Sequence, residues 1–343
     1  KMEQQLVMWK ETLDEEEAIE LEEDVSVAAS WLPERTMSLL QNIGNGLTAQ
    51  SDLDTQDNLT GNLLAWIASL DILDVAGSVD MRNRSHISSF IQKTSALGWM
   101  MNSALQEADL DIRRGDNIFA CIDLEGGDGD FLAGKVAALA AFRTVESLPT
   151  LVKTWYNDDC PRFLRQRLSV FVENTVAPAT LQRELVRIKD ATSFGEMTVS
   201  GSCVSREIIA TYQQDECQLS VMIRMPSTFP LRNVEVDCQK TMGIPENRWR
   251  RWALQIMLML NNQDGSALDA LLLWKQNVDK EFEGVEPCPV CYSVLCIKTH
   301  HMPNLECKTC HNRFHTSCLY KWFQSSGKSV CVICQQPWSG TKV

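Results

Sequence analysis

Apolar residues follow one rhythm at the start of this chain and another in its middle. Over residues 1–176 they recur at helical spacing, as in Leu63-Trp66-Ile67-Leu70 and Leu164-Leu168-Phe171, with almost no strand pattern. Breaks are expected at Gly44-Asn45-Gly46 and at Gly126-Gly127-Asp128-Gly129, and Asp158-Asp159-Cys160-Pro161 has the residue types of a helix start. From 196 to 238 the period drops to two. The runs Met197–Val204, Ile208–Gln213, Leu219-Val221-Ile223 and Val234-Val236-Cys238, rich in Val and Ile, predict an antiparallel meander. Leu181-Leu185-Ile188 predicts a helix before it; Trp249-Trp252-Ile256-Leu260 and Leu268-Leu271-Leu272-Val278 predict two after it. That order gives an α+β arrangement with helices on one face of the sheet. The chain is therefore expected to be multidomain: a helical segment over 1–176, an α+β domain over 177–284 and a small cysteine-rich domain over 285–343.

Composition leaves this picture unchanged, at 44% hydrophobic and 22% charged residues. No uninterrupted apolar run is long enough for a membrane span and no signal peptide opens the chain, so no membrane association is expected. Because the chain starts in mid-pattern at Lys1, it is expected to be the C-terminal part of something longer.

Charge is unevenly spread. Residues 285–343 hold six basic residues against two acidic ones, so a net +4 there leaves −17 for the rest. The acidic run starting at Asp14-Glu15-Glu16-Glu17 reads as a solvated helix face, and an acidic body argues against direct DNA binding. The loop 126–129 lacks the Lys-Ser/Thr that would make it a phosphate cradle, and reads as a turn.

Of 13 cysteines, eight follow residue 285. The other five, Cys121, Cys160, Cys203, Cys217 and Cys238, stand alone in apolar surroundings and are expected to be buried free thiols in a reducing cytosol. The C-terminal group is organised as Cys288-x2-Cys291, Cys307-x2-Cys310, His315-x2-Cys318 and Cys331-x2-Cys334. Four paired ligands, seven Cys and one His, are what two closed tetrahedral zinc sites require. Cys296, His300, His301 and His311 fall outside the pairs and are expected to be structural or at the surface. So short a segment cannot build a strong apolar core, so two Zn2+ ions must supply folding free energy.

This spacing is similar to the RING family, in the variant with Cys at the fourth ligand and His at the fifth. The resemblance implies a cross-brace: Cys288, Cys291, His315 and Cys318 on one zinc, Cys307, Cys310, Cys331 and Cys334 on the other. PHD fingers share the ligand order but usually place an aromatic two residues before the seventh ligand, where this chain has Ser329. Here the aromatic, Trp322, lies four residues after the sixth ligand, where RING domains dock a ubiquitin-conjugating enzyme. Leu319, Trp322 and Phe323 fall on one face of a short helix. Val290, Ile333 and Pro337 would complete an apolar docking groove beside Trp322. Two departures concern activation: Val332 replaces the usual Pro after the seventh ligand, and Gln335 replaces a basic residue after the eighth.

The link Met225-Pro226-Ser227-Thr228-Phe229-Pro230 is similar to the Pro-x-x-Tyr-Pro turn of RWD domains, with Phe for Tyr and Val234 in place of a later Pro. RWD domains share the fold of conjugating enzymes, yet no Cys here occupies a credible active-site loop; Cys238 reads as core at a strand end. The helical segment has no clean internal repeat but has the texture of a degenerate HEAT-like array.

Helical array, RWD domain and variant RING in this order resemble the RING-type E3 ubiquitin ligases of ribosome-associated quality control. The most specific residues are Cys318–Phe323, Ser325-Ser326 and Leu148-Pro149…Lys153-Thr154-Trp155-Tyr156. The resemblance implies a cytoplasmic, ribosome-associated ligase with a scaffold mechanism and no covalent ubiquitin intermediate. Its partners would be a charged conjugating enzyme, a large ribosomal subunit with a stalled nascent chain, and other quality-control factors. A non-catalytic zinc-finger adaptor and a PHD-type peptide reader are the alternatives.

Overall fold

The computed structural model describes residues 15–44, 56–94, 96–108, 129–191, 194–214, 217–241, 243–296, 298–299 and 301–339. They fall into two compact units, one of residues 1–180 with 227–232 and one of 181–226 with 233–343.

The first unit is helical among its described residues: α1 (Glu15–Trp31), α2 (Glu34–Gly44), α3 (Gln56–Val79), α4 (Met81–Lys93), α5 (Ala96–Glu107), α6 (Gly129–Ser147), α7 (Pro149–Asp158) and α8 (Arg162–Phe171). A single π-helical turn, Val172–Val176, leads from α8 into α9 (Ala177–Asp190). Gly44 ends α2 as expected, whereas Gly129 opens α6; the rest of both glycine stretches lies outside the described residues, as do Cys121 and His300. Pro161 precedes the first residue of α8, a position where a missing N–H costs nothing.

Contrary to the expectation from uninterrupted runs, Leu59–Val79 is long and apolar enough by length and composition to cross a membrane. Ala65, Ala68 and Ala76 raise its hydropathy, while Ser69, Asp71 and Asp74 interrupt the apolar run. Within the unit it behaves as a core helix. Leu63, Trp66, Leu70, Leu73 and Ala76 are buried, and the Trp66 indole donates to Thr144 Oγ1 at 2.8 Å. Its two carboxylates are paired: Asp74 with Arg84 at 2.7 Å and with Arg143 at 3.1 Å, and Asp71 with Arg143.

A second buried ionic group ties α1 to α4. The Asp24 carboxylate, buried, meets His86 Nδ1 at 2.8 Å, Ser89 Oγ at 2.6 Å and Lys93 Nζ at 2.8 Å. Burial pushes the Asp24 carboxyl up, but the hydrogen bonds from Lys93, Ser89 and His86 outweigh it and hold it below its ordinary value of 3.8.

In the second unit four antiparallel strands, β1 (Met197–Ser202), β2 (Glu207–Gln214), β3 (Cys217–Arg224) and β4 (Glu235–Thr241), pair in sequence order. Each lies close to an expected run. The first is shorter: Cys203 to Arg206 form the turn, with Val204 92% exposed, so its apolar character does not extend the strand. Register sets Val199 opposite Ala210, Ala210 opposite Val221, and Val221 opposite Cys238. Ile208, Ala210 and Tyr212, with Leu219, Val221 and Ile223, are buried on one face, as period-two alternation demands.

Behind the sheet come α10 (Glu246–Asn262) and α11 (Ala267–Phe282). The buried face of α10 is the expected Trp249-Trp252-Ile256-Leu260, whereas α11 buries Ala267, Ala270, Leu271, Trp274, Val278 and Phe282. Leu268 and Leu272 are only half-buried, because the two buried alanines and Trp274 define the inward face instead. Trp249 sits between Trp252 (5.4 Å, edge-on) and Trp274 (6.1 Å, stacked), which locks the helix pair together.

Two polar devices set the start of α11. Ser266 and Asp269 form a reciprocal capping box. The buried Glu184 carboxylate of α9 accepts the Ala267 N–H at 2.7 Å and also meets Arg187 at 3.0 Å. At the C-terminal end the Tyr212 hydroxyl donates to Asp279 at 2.8 Å, and its ring lies parallel to Phe282 at 6.2 Å.

The remaining residues form a small cysteine-rich module with a two-residue ladder, β5 (Leu305–Glu306) against β6 (Arg313–Phe314), and one helix, α12 (Thr316–Ser326).

Candidate functional site

Three of the four ligand pairs share one local design. In each C-x2-C the residue following the second Cys returns its N–H to the carbonyl of the first: Tyr292 to Cys288 at 2.7 Å, His311 to Cys307 at 2.8 Å and Gln335 to Cys331 at 3.1 Å. The first Cys of each pair donates its own N–H forward, to Ser293, Asn312 and Gln336. Closing so tight a turn puts the residue after each pair in the left-handed region, with φ of 60° at Tyr292, 59° at His311 and 56° at Gln335. The fourth pair is built differently: His315 precedes α12 and Cys318 lies in its first turn.

The eight donors converge as two groups. Cys288, Cys291, His315 and Cys318 bring one ligand atom each within 4.8 Å of one another, and so do Cys307, Cys310, Cys331 and Cys334. In the second group Cys307 and Cys334 sulfurs stand 3.8 Å apart, and Cys310 and Cys331 sulfurs 3.7 Å. A tetrahedron of thiolates about 2.3 Å from a central zinc has edges of about 3.8 Å. In the first group His315 Nδ1 lies 3.3 Å from Cys291 Sγ and 3.8 Å from Cys318 Sγ. Its other ring nitrogen, Nε2, faces the Val294 carbonyl at 3.1 Å, which fixes Nε2 as the N–H and leaves the Nδ1 lone pair toward the sulfurs.

Electrostatics ask for a cation at each centre. Burial, reinforced by Cys291 and Cys288, pushes the Cys318 thiol up to about 12, and burial together with Cys310 and Cys307 pushes Cys331 to about 12. Cys310 goes the other way, to about 6, through the Asn312 side chain first. Burial lowers His315 and keeps its imidazole neutral, the form that ligates metal. Packed soft donors whose neighbours oppose ionisation are stabilised together by a divalent ion. Both clusters therefore fit metal ions, and their donor set fits zinc.

Around α12 the apolar residues divide. Leu319 is buried with Phe314, Leu305 and the ligands, and Val290 and Phe323 pack against this core. Trp322 is half-buried, its indole donating to the Val330 carbonyl at 3.3 Å, and Val330 in turn bridges to Pro337. Trp322 and Pro337 are thus both joined to Val330. Ile333 is 49% exposed and Pro337 is exposed. Val290 and Ile333 occupy equivalent places, each just before the second Cys of its pair.

Sequence reasoning missed Trp338, which packs edge-on against both Phe314 (5.9 Å) and Phe323 (6.0 Å) and joins the core to the end of the module. Gln335, Gln336 and Pro337 separate it from the apolar stretch Val330–Cys334, which hid it. The unpaired residues are placed as follows: Cys296 is buried with its sulfur 3.0 Å from Ser317 Oγ, His301 is exposed, and His311 is exposed with Nδ1 3.0 Å from Glu306.

Of the isolated cysteines Cys160 is buried, but Cys203 is exposed, its sulfur 3.2 Å from Gln182 Oε1, because the strand ends before it. Cys238 is half-buried rather than core, since β4 is an edge strand of the sheet. Burial, then Asp237, pushes its thiol up to about 12, which disfavours the thiolate that a nucleophile would need.

Fold and site define a class: a helical segment followed by a conjugating-enzyme-like sheet layer and a cysteine-rich module with two interleaved metal-fitting clusters. Residues 197–281 match the family described as ubiquitin conjugating domain-like. The chain is similar to E3 ubiquitin-protein ligase listerin: it is 38% identical over 194 residues to the protein of Gallus gallus, covering 56% of this chain and 11% of that one. It is 37% identical over 194 residues to listerin of Mus musculus, with the same coverages of 56% and 11%. With listerin of Schizosaccharomyces pombe it shares 33% identity over 247 residues, 69% of this chain and 15% of the relative. The resemblance to the ligase family is thereby shown, over a stretch that spans only a small part of the length of those relatives.

Proposed function

We propose that this chain is the ubiquitin-transferring end of a RING-type E3 ligase acting in ribosome-associated quality control in the cytosol. The observation that carries the reading is the pair of interleaved four-donor clusters framing α12, in a chain whose relatives are named E3 ubiquitin-protein ligase.

In this reading Cys288, Cys291, His315 and Cys318 hold one zinc ion and Cys307, Cys310, Cys331 and Cys334 a second. The ions supply rigidity and no bond-making step. Val290, Trp322, Ile333 and Pro337 receive the conjugating enzyme; the tether from Trp322 to Val330 holds the indole at the surface at low entropic cost. The ligase then acts by proximity and orientation, presenting the ubiquitin thioester to an acceptor lysine. The mechanism needs no thioester on this chain, and burial raises the Cys238 thiol, which disfavours its thiolate. The sheet layer over 177–284 and the HEAT-like helices over 1–176 serve as binding modules toward the large ribosomal subunit with its stalled nascent chain.

The test incubates the chain with ubiquitin-charged conjugating enzyme and free lysine, wild type beside Trp322→Ala. Wild type should accelerate discharge and Trp322→Ala should lose at least about tenfold, as expected for an aromatic anchor that becomes buried on docking. Wild type with no acceleration would sink the ligase reading, and a fully active Trp322→Ala would sink the groove.

A further inference from the structure

Cys296 is the one described cysteine of the C-terminal module outside both clusters, and its place is specific. Its backbone N–H donates to the His301 carbonyl at 3.1 Å, and its sulfur lies 3.0 Å from Ser317 Oγ on α12. His301 in turn makes a parallel bridge with Gly243. Gly243 lies two residues past the end of β4, the edge strand of the sheet, and its φ of 80° is a conformation that favours glycine. The chain just past the end of β4 is thus linked through His301 and Cys296 to the helix that carries Trp322.

A second attachment lies in the chain itself. α11 ends at Phe282 and the first ligand is Cys288. The few residues between are hydrogen-bonded back to the helix, Glu283 to Asp279 at 2.9 Å and Val285 to Phe282 at 3.2 Å, around Gly284 with φ 71°. Sheet layer and cysteine-rich module cluster as one compact unit.

We infer that these two attachments clamp the cysteine-rich module to the chain end of β4, so that α12 and Trp322 hold one direction relative to the sheet. The sheet layer then aims the docked conjugating enzyme, and Cys296 and Ser317 are positioning residues in that clamp. The consequence for acceptor choice rests on the ligase reading; the clamp itself does not.

The experiment uses the whole chain, with spin labels on non-natural side chains at two exposed positions, Leu254 of α10 and Lys321 of α12. Its second form carries Gly-Ser-Gly-Ser inserted after Gly284. The parent should give one narrow distance distribution and the insertion a broad one, because a single bridge does not hold two modules alone. Free-lysine discharge should be unchanged by the insertion. Transfer to lysines of a stalled nascent chain on purified large ribosomal subunits should fall about tenfold, as for other losses of orientation. A broad or multi-peaked distribution in the parent overturns the clamp. A narrow parent distribution with an unchanged acceptor pattern after insertion overturns its role in aiming. If the parent shows narrow distances but no discharge of free lysine, the ligase reading falls and the clamp stands.

Discussion

Replacing Glu184 separates two contributions that meet at the start of α11. Its carboxylate, on a residue only 7% exposed, takes the N–H of Ala267, which is fully buried. That N–H is one of the orphan donors of a helix first turn, and the Ser266–Asp269 capping box does not reach it. In Glu184→Ala the donor is left buried without a partner, costing about 1–3 kcal/mol. The Arg187 pair adds little, since that guanidinium is half exposed. Glu184→Gln keeps an oxygen acceptor and loses only the charge, about 0.5–1 kcal/mol of interaction with the helix N-terminus. With a tenfold change for each 1.4 kcal/mol, the alanine variant should raise amide exchange of the first two turns of α11 by about thirtyfold, and the glutamine variant by about threefold. Hydrogen-exchange mass spectrometry on peptides covering residues 266–274 reads both. Equal protection in the two variants would refute the argument, because it would show that the acceptor itself does not matter.

Three further outcomes are expected. Metal analysis should find two zinc ions per chain, and chelation should unfold residues 288–339 while the strand amides of β2 and β3 stay protected; fewer than two ions contradicts the two-site assignment. At Gly201 a Cβ would run into Leu185 Cδ2, the free end of a half-buried side chain that can turn aside, so Gly201→Ala should cost no more than about 1 kcal/mol, and its effect should be non-additive with Leu185→Ala in a double-mutant cycle. Asp24 has a depressed folded-state pKa, so its contribution is present above its unfolded value near 3.8 and is lost as pH falls through the lower folded value. Exchange in α4 should therefore rise below about pH 4 in wild type, and Asp24→Asn should flatten that dependence.

The parts legible in the sequence are those set by local periodicity or repeated spacing. Ile208, Ala210 and Tyr212 alternate because a strand has two faces, and four x2-spaced ligand pairs declare themselves without any fold. What stays hidden depends on distant partners. Nothing near Glu184 announces that it caps a helix 83 residues away, and Asp24 reads as part of an acidic surface until His86, Ser89 and Lys93 surround it. Cys203 misleads because Val204 continues an apolar alternation that the turn cuts short. Trp338 and the left-handed residues Tyr292, His311 and Gln335 are fixed by the closure of the metal-fitting turns, a constraint that residue type alone does not reveal.

The interleaving of the two clusters makes the chain segments they close overlap rather than nest. One closure spans Cys288 to Cys318 and the other Cys307 to Cys334, sharing the stretch from Cys307 to Cys318. Once either set of donors is gathered, part of the other loop has already given up its freedom, so the second closure loses less chain entropy than the first. The module behaves like a knot drawn from both sides: a fault in one ligand loosens residues on both centres, and intermediate states with one centre formed are the scarce ones.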